Sequence, residues 1–252
     1  GTEIEKIFVT SRPLMKEELE QNFCTLSYSL QPFTRIDQKN FLLMYWKSLI
    51  TNSFELSKFI YALLDLVENS FNDRINDLTG IPLQTKMLAE VYESKALHYC
   101  QTGDIELPER LDILELYKEF VDKKWEVYCV KMNLDTNNAM AFQHIQSLRH
   151  EFQQSLLNSA LITVLGFSEI RKFKNLVTIW KENEKCIENF KSGQDRIGIV
   201  TGVIYKRALF IHLTFAEYFV ALWFSNVLIS ESEAVKKIYL SREFEVVQKF
   251  LD

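Results

Sequence analysis

Glycine and proline are scarce in this sequence, with 7 Gly and 4 Pro among 252 residues. Architectures made only of strands and turns normally need more of both, because these two residues supply most turn geometries. Their scarcity argues against an all-β protein. With 47% hydrophobic and 13% aromatic residues, the chain can instead bury a sizeable core. We therefore expect long helices around that core.

Cysteine and positive charge are also limited. The four cysteines, which lie far apart, show neither a C-x-x-C spacing nor a Cys/His ligand spacing. The pattern predicts reduced thiols, with no disulfide framework and no zinc site. A net charge of −5 argues against a general nucleic-acid or membrane-surface binder, which would normally be basic.

Long apolar runs and catalytic motifs are missing as well. No apolar run approaches about 18 residues and no signal segment opens the sequence, so we expect a soluble, cytoplasmic protein without a membrane partner. The sequence contains no G-x-x-x-x-G-K-[ST], H-E-x-x-H, G-x-S-x-G or EF-hand pattern. It therefore predicts no self-contained active site and no metal ligands.

What the sequence does contain is mostly helical periodicity. The opening predicts a strand over 4–11, a short helix over 14–21 and a second strand over 23–30. Apolar residues then recur at helical spacing, notably Leu56, Phe59, Ile60, Leu63, Leu64 and Val67. We predict helices over 37–50 and 53–71, from Pro82 to Gly103, from Pro108 to Met132, and over 139–164 before Gly166.

The pattern changes near residue 193. Two short β-like runs, "DRIGIVTGV" and "ALFIHL", flank the turn-like "IYKR" and predict a hairpin. Thr214 with Glu217 fits a capping box that opens a helix to about Leu228. The fold class predicted is mainly α: the edge of an α/β unit, a helical domain, and a winged-helix domain with one β-hairpin. Residues 242–252 end on a helical pattern without a cap, so we expect a longer protein.

Three residues are candidates for binding a ligand. Arg12 ends the first predicted strand, where its guanidinium suits phosphate oxygens, although a solvated arginine before a proline is the simpler reading. Pro82 offers a flat ring to an aromatic base, or is an ordinary proline at the first helical position. His212 precedes a helix N-terminus, where it can donate to a phosphate, or it is a half-buried strand histidine bonded to a backbone carbonyl.

Three separated stretches carry a family resemblance. "KIFVTSRP", "LTGIPLQTKMLAEVY" and "FIHLTFAEYFVALWF" resemble three successive signatures of the NACHT family of STAND-type regulatory NTPases. The helix "LELYKEFVDKKWEVY" is similar to the one that opens the winged-helix domain of that family. The motifs also resemble those of invertebrate members, including members with ankyrin repeats.

The resemblance implies a domain order and a function. The order is the C-terminal edge of a P-loop domain over 1–32, a helical domain over 33–104, a winged-helix domain over 105–228 and a following helical region over 229–252. Family members act in signal transduction, including innate immunity, by switching from an ADP-bound monomer to an ATP-bound oligomer. The resemblance therefore implies adenine nucleotide and self-association as partners.

The resemblance also gives each candidate residue a role. Arg12 matches the sensor arginine that faces the terminal phosphate, Pro82 matches the proline that packs on adenine, and His212 matches the histidine that bonds the β-phosphate of ADP. The phosphate-binding loop and the magnesium-binding acidic strand are missing from this sequence. We therefore expect ADP, ATP and Mg²⁺ to be held mainly by residues upstream, and no ATP hydrolysis by this chain alone.

Two other functions remain open from the sequence. One is a helical protein-interaction scaffold that has lost nucleotide control, which an intact upstream phosphate-binding loop would argue against. The other is a winged-helix nucleic-acid binder using the basic "RKFK" or "KR" stretches, although the acidic balance counts against it.

Overall fold

The computed structural model describes residues 16–29, 31–71, 81–134, 139–170, 177–192, 197–227, 240 and 245–251. Within these ranges the fold is mainly α, with ten helices and one two-stranded antiparallel hairpin, as the sequence predicts. In chain order the elements are α1 Lys16–Phe23, α2 Arg35–Trp46, α3 Ser53–Phe71, α4 Pro82–Val91, α5 Glu93–Thr102, α6 Ile113–Lys131, α7 Ala139–Ile170, α8 Val177–Ser192, β1 Val200–Ile204, β2 Arg207–Phe210, α9 Leu213–Val227 and α10 Glu245–Lys249.

Helices α2 to α5 form a connected group. Thr34 begins α2 through a capping box with Asp37, in which each side chain bonds the backbone N–H of the other. Helix α3 occupies the predicted residues 53–71, and the six apolar residues of its predicted face are all buried. The indole Nε1 of Trp46 donates to the carbonyl of Ala89 at 3.1 Å, which fixes α2 against α4.

The predicted helix from Pro82 to Gly103 is two helices. Pro82 occupies the first turn as expected, and Gly103 ends α5 in the left-handed conformation with φ 83°. The chain bends between them at Tyr92, whose φ of −93° and ψ of 7° leave the helical region. Glycine suits the left-handed position because it has no Cβ to clash there.

Helix α6 begins later than predicted. Pro108 is not its start, because the first helical residue is Ile113 and the carboxylate of Asp112 caps it. The Asp112 Oδ1 accepts from the backbone N–H of Leu114 at 2.7 Å and from that of Glu115 at 3.5 Å. The Asp112 carboxylate thus satisfies two first-turn N–H groups of α6. Pro108 lies four residues earlier and has no side-chain acceptor for them.

We expect Asp112→Ala to lower the free energy of unfolding by about 0.5–2 kcal/mol, since the cap is lost while the exposed position loses little packing. Chemical denaturation of the variant and of the wild type measures this difference. Asp104→Ala, at an exposed aspartate in the preceding loop, is the matched control and should change stability by less than about 0.5 kcal/mol. Equal stability of the two variants would contradict the capping role.

The hairpin is confirmed. Strands β1 and β2 pair antiparallel, with Val203 opposite Ala208 and a bulge between Val200 and Gly202. Tyr205 and Lys206 connect the strands with φ of 48° and 61°. Two consecutive positive φ values are typical of the tight turn whose twist matches that of the paired strands.

The second predicted strand, over 23–30, is wrong for the residues that the structure describes. Phe23 ends α1, and 24–29 follow without regular structure. Leu26 and Tyr28 alternate with polar residues but are 82% and 98% exposed, and the only sheet among the described residues is the β1–β2 hairpin. An alternating pattern forms a strand only where a neighbour supplies the ladder hydrogen bonds. The predicted strand over 4–11 lies outside the described residues.

An aromatic cluster joins the C-terminal elements. Helix α9 packs mainly on α7 and also contacts α6 and α10, while α6 packs against α4. Five rings meet where these helices converge: Tyr117, Phe120, Phe215, Tyr218 and Phe250. Helix α7 has a backbone break at Gly166, with φ 72° and ψ 165°, close to its predicted end.

Hydropathy gives one further result for the described part of the chain. None of the helices found there combines the length and the apolar character that crossing a bilayer requires.

Candidate functional site

Two of the three predicted site residues lie within the described structure. Arg12 falls in 1–15, outside the described residues, so its predicted role has no structural test here. Pro82 opens α4 and His212 directly precedes α9. The helix that begins with Pro82 and the helix that follows His212 both contact α6, so α6 connects the two positions.

Pro82 presents its ring to solvent. It lies in the first turn of α4, where the N–H that proline lacks would have had no helical partner. The preceding residue, Ile81, provides no side-chain cap, and Pro82 itself is exposed. The pyrrolidine ring can therefore be covered by a flat group from outside without rearrangement of the helix.

His212 is held at the junction between the hairpin and α9. The preceding residue, Ile211, donates its backbone N–H to the carbonyl of Ile199 at 2.7 Å, which ties the junction to the hairpin. The backbone N–H of Thr214 donates to Nδ1 of His212 at 3.3 Å, and the Thr214 Oγ1 lies 3.0 Å from the same atom. The half-buried imidazole thus stands at the N-terminus of a 15-residue helix.

This contact fixes the tautomer of the ring. A backbone N–H can only donate, so Nδ1 must accept, and the proton of a neutral imidazole must then be on Nε2. The first turn of a helix also carries a partial positive charge and favours anions. In that tautomer the ring donates from Nε2–H, beside an anion-favouring helix end.

The predicted capping box of Thr214 with Glu217 is wrong in register. Helix α9 begins at Leu213, so Thr214 lies inside the first turn and not at the capping position. His212 occupies the capping position instead, and its carbonyl accepts from the backbone N–H of Phe215 at 3.1 Å. A histidine cap is difficult to predict because serine and threonine are far commoner there.

Tyr117 is a site residue that the sequence does not reveal. Its hydroxyl donates to Thr214 Oγ1 at 2.8 Å, although 97 positions separate the two residues. Its ring is fully buried against those of Phe215, at 4.9 Å between centroids, and Phe250, at 5.1 Å. Burial raises the pKa of Tyr117, so the hydroxyl keeps its proton and remains a donor.

The first turn of α4 reaches the same tyrosine. The side-chain amide of buried Gln84, two residues after Pro82, lies close enough to Tyr117 to offset part of the rise in the pKa of that hydroxyl. Its Nε2 nevertheless has no hydrogen-bond partner among the described residues, and the same holds for Oγ1 of neighbouring Thr85. Tyr117 therefore lies between the turn that carries Pro82 and the turn that follows His212.

One ion pair and one hydrogen bond hold α4 on α6. Lys124 contacts a carboxylate oxygen of Glu90 at 2.5 Å, and Lys123 donates to the Glu90 carbonyl at the same distance. The carboxylate of Glu90 and the ammonium of Lys124 are only 15% and 19% exposed, so solvent screens this pair less than a surface pair. The spacing between α4 and α6 is consequently fixed independently of the aromatic cluster.

A separate pocket of about 430 Å³ opens between α6, α7 and α8. It has an aromatic side and a polar side, and its lining includes Trp125, Tyr128, Phe152, Asn158, Lys185 and Cys186. Pro82, Tyr117 and His212 do not line it. Over the same described ranges, His, Cys, Asp and Glu side chains form no group of three that could hold a metal ion.

Comparison of the chain with protein-family models, with curated proteins and with solved structures finds no match. The resemblance to the NACHT family accordingly rests on the three sequence stretches that carry it.

Proposed function

We propose that this chain is part of an adenine-nucleotide-controlled signalling switch of the NACHT type. In this proposal the helical domain and the winged-helix domain close over a bound nucleotide. His212 donates from Nε2 to a phosphate oxygen, and Pro82 packs on the base. The phosphate-binding loop and the Mg²⁺ ligands are supplied from outside this sequence, and innate immune signalling is the cellular role that the resemblance favours.

The observation that supports this proposal best is the use of Nδ1 of His212. Because the Thr214 N–H donates to Nδ1, a neutral His212 carries its proton on Nε2, the form needed to bond a phosphate oxygen. The adjacent helix end adds a field that favours anions. A neutral histidine whose Nδ1 donated to a carbonyl would instead have an acceptor at Nε2, which does not bond a phosphate oxygen.

Pro82 adds a second observation. The exposed ring of Pro82, at the start of α4, can lie on the face of a base. The buried Gln84, two residues further along, is close to Tyr117, whose hydroxyl bonds Thr214. The two residues that the resemblance assigns to the base and to the phosphate thus lie at the starts of α4 and α9, and both of these helices contact α6, which carries Tyr117. Nothing in this arrangement requires the chain to perform chemistry on the nucleotide.

Light scattering of the full-length protein tests the switch. With ADP and Mg²⁺ we expect a monomer, and with a non-hydrolysable ATP analogue we expect an oligomer, since exchange removes the contact that holds the closed form. His212→Asn should oligomerise more readily in ADP, whereas His144→Ala, at an exposed histidine of α7, should behave as the wild type. Identical masses in both nucleotides, for the wild type and for His212→Asn, would contradict the proposal.

A further inference from the structure

We infer that Tyr117 is a positioning residue that sets the orientation of His212 through Thr214. This inference rests on the proposed function, because it concerns how the histidine is prepared for a phosphate. Tyr117 itself is buried and does not contact a nucleotide. Its effect is transmitted by hydrogen bonds.

Two contacts join the three side chains through the Thr214 hydroxyl. The Tyr117 hydroxyl lies 2.8 Å from Thr214 Oγ1, and that oxygen lies 3.0 Å from Nδ1 of His212. Nδ1 also accepts from the Thr214 backbone N–H, so Thr214 contacts the ring through both its backbone and its side chain. Tyr117 therefore acts on His212 through the position of the Thr214 hydroxyl.

Burial protects these contacts from water. Thr214 is 7% exposed and Tyr117 fully buried, so water does not compete readily for the same lone pairs. Rings on three sides hold the tyrosine, from Phe215, Tyr218 and Phe250. With the tyrosine fixed, the Thr214 hydroxyl is held beside Nδ1 of His212.

Tyr117→Phe tests the inference, since it keeps the ring and removes only the hydroxyl. We expect roughly three- to tenfold faster release of ADP from the full-length protein, the effect of losing one neutral hydrogen bond. Tyr218→Phe, at a buried tyrosine of the same ring cluster, is the matched control and should release ADP at the wild-type rate. Equal release by wild type and Tyr117→Phe would overturn the inference.

A double-mutant cycle separates positioning from general stability. If Tyr117 acts through His212, Tyr117→Phe should have no further effect on release in a His212→Ala background. A merely structural role would give the same acceleration in both backgrounds, which would overturn the inference.

The surroundings of His212 supply a readout that does not depend on nucleotide. Long-range ¹H–¹⁵N spectra of the chain labelled at its four histidines should show the His212 ring resonances shifted in Tyr117→Phe relative to the wild type, with those of the other histidines unchanged. Unchanged His212 resonances in the variant would overturn the positioning role. If the full-length protein holds no nucleotide, the proposed function fails while this spectrum still decides the role of Tyr117.

Discussion

Replacement of His212 by alanine is expected to speed the release of ADP from the full-length protein by about 10- to 100-fold. A hydrogen bond to a charged group contributes roughly 1.5–3 kcal/mol, which converts to that range of affinity. The same variant also loses the Nδ1 acceptor at the start of α9, so its free energy of unfolding should fall by about 0.5–2 kcal/mol. Stopped-flow displacement of a fluorescent ADP analogue and chemical denaturation measure the two effects.

His212→Asn separates these two effects. Asparagine is a strong helix cap, because its side-chain oxygen accepts from the same first-turn N–H groups, but it is too short to place a donor where Nε2 lies. We expect it to retain near wild-type stability and to release ADP as fast as His212→Ala. Fast release by His212→Ala with wild-type release by His212→Asn would show that the cap, and not the phosphate contact, controls the nucleotide.

The largest expected effect on stability is that of Phe215→Ala. The ring of Phe215 is fully buried, with Tyr117 at 4.9 Å and Phe120 at 5.5 Å between ring centroids, and therefore lies where α6 meets α9. Its removal leaves a cavity between two rings that are held by other contacts, so the site cannot collapse fully. We expect a loss of about 3–5 kcal/mol in the free energy of unfolding.

Phe142→Ala is the matched control for that prediction. Phe142 is 52% exposed on α7, and its truncation should change the free energy of unfolding by less than about 0.5 kcal/mol. Urea unfolding followed by tryptophan fluorescence measures both variants. If Phe215→Ala lowered the free energy of unfolding no more than Phe142→Ala does, the packing of α6 and α9 around the Phe215 ring would be contradicted.

The helices and the hairpin could be predicted because their signals are local. The buried face of α3 follows from apolar spacing alone, and Gly103 and Gly166 mark positions where the backbone takes a positive φ. The start of α6 was misassigned because Pro108 and Asp112 are both start signals four residues apart. The choice between them depends on which N–H groups the Asp112 carboxylate reaches in space.

The candidate site could be predicted only in part. Pro82 and His212 come from short motifs, and the structure places both at helix starts. The partner of His212 could not be predicted, because Thr214 looks like a cap in the sequence and Tyr117 lies 97 positions away from it. A contact of that range depends on how α6 and α9 pack. The strand predicted over 23–30 fails for a related reason, since its hydrogen bonds require a neighbouring strand.

The measurement that tests the central claim most directly is the identity of the small molecule that the full-length protein retains. The protein is purified without added nucleotide and denatured, and the released compounds are identified and quantified for the wild type, His212→Asn and His144→Ala. The account predicts close to one ADP per chain in the wild type and in His144→Ala, and much less in His212→Asn. Full ADP in His212→Asn would refute the role of His212, and the absence of nucleotide from the wild type would contradict the switch and favour a helical scaffold.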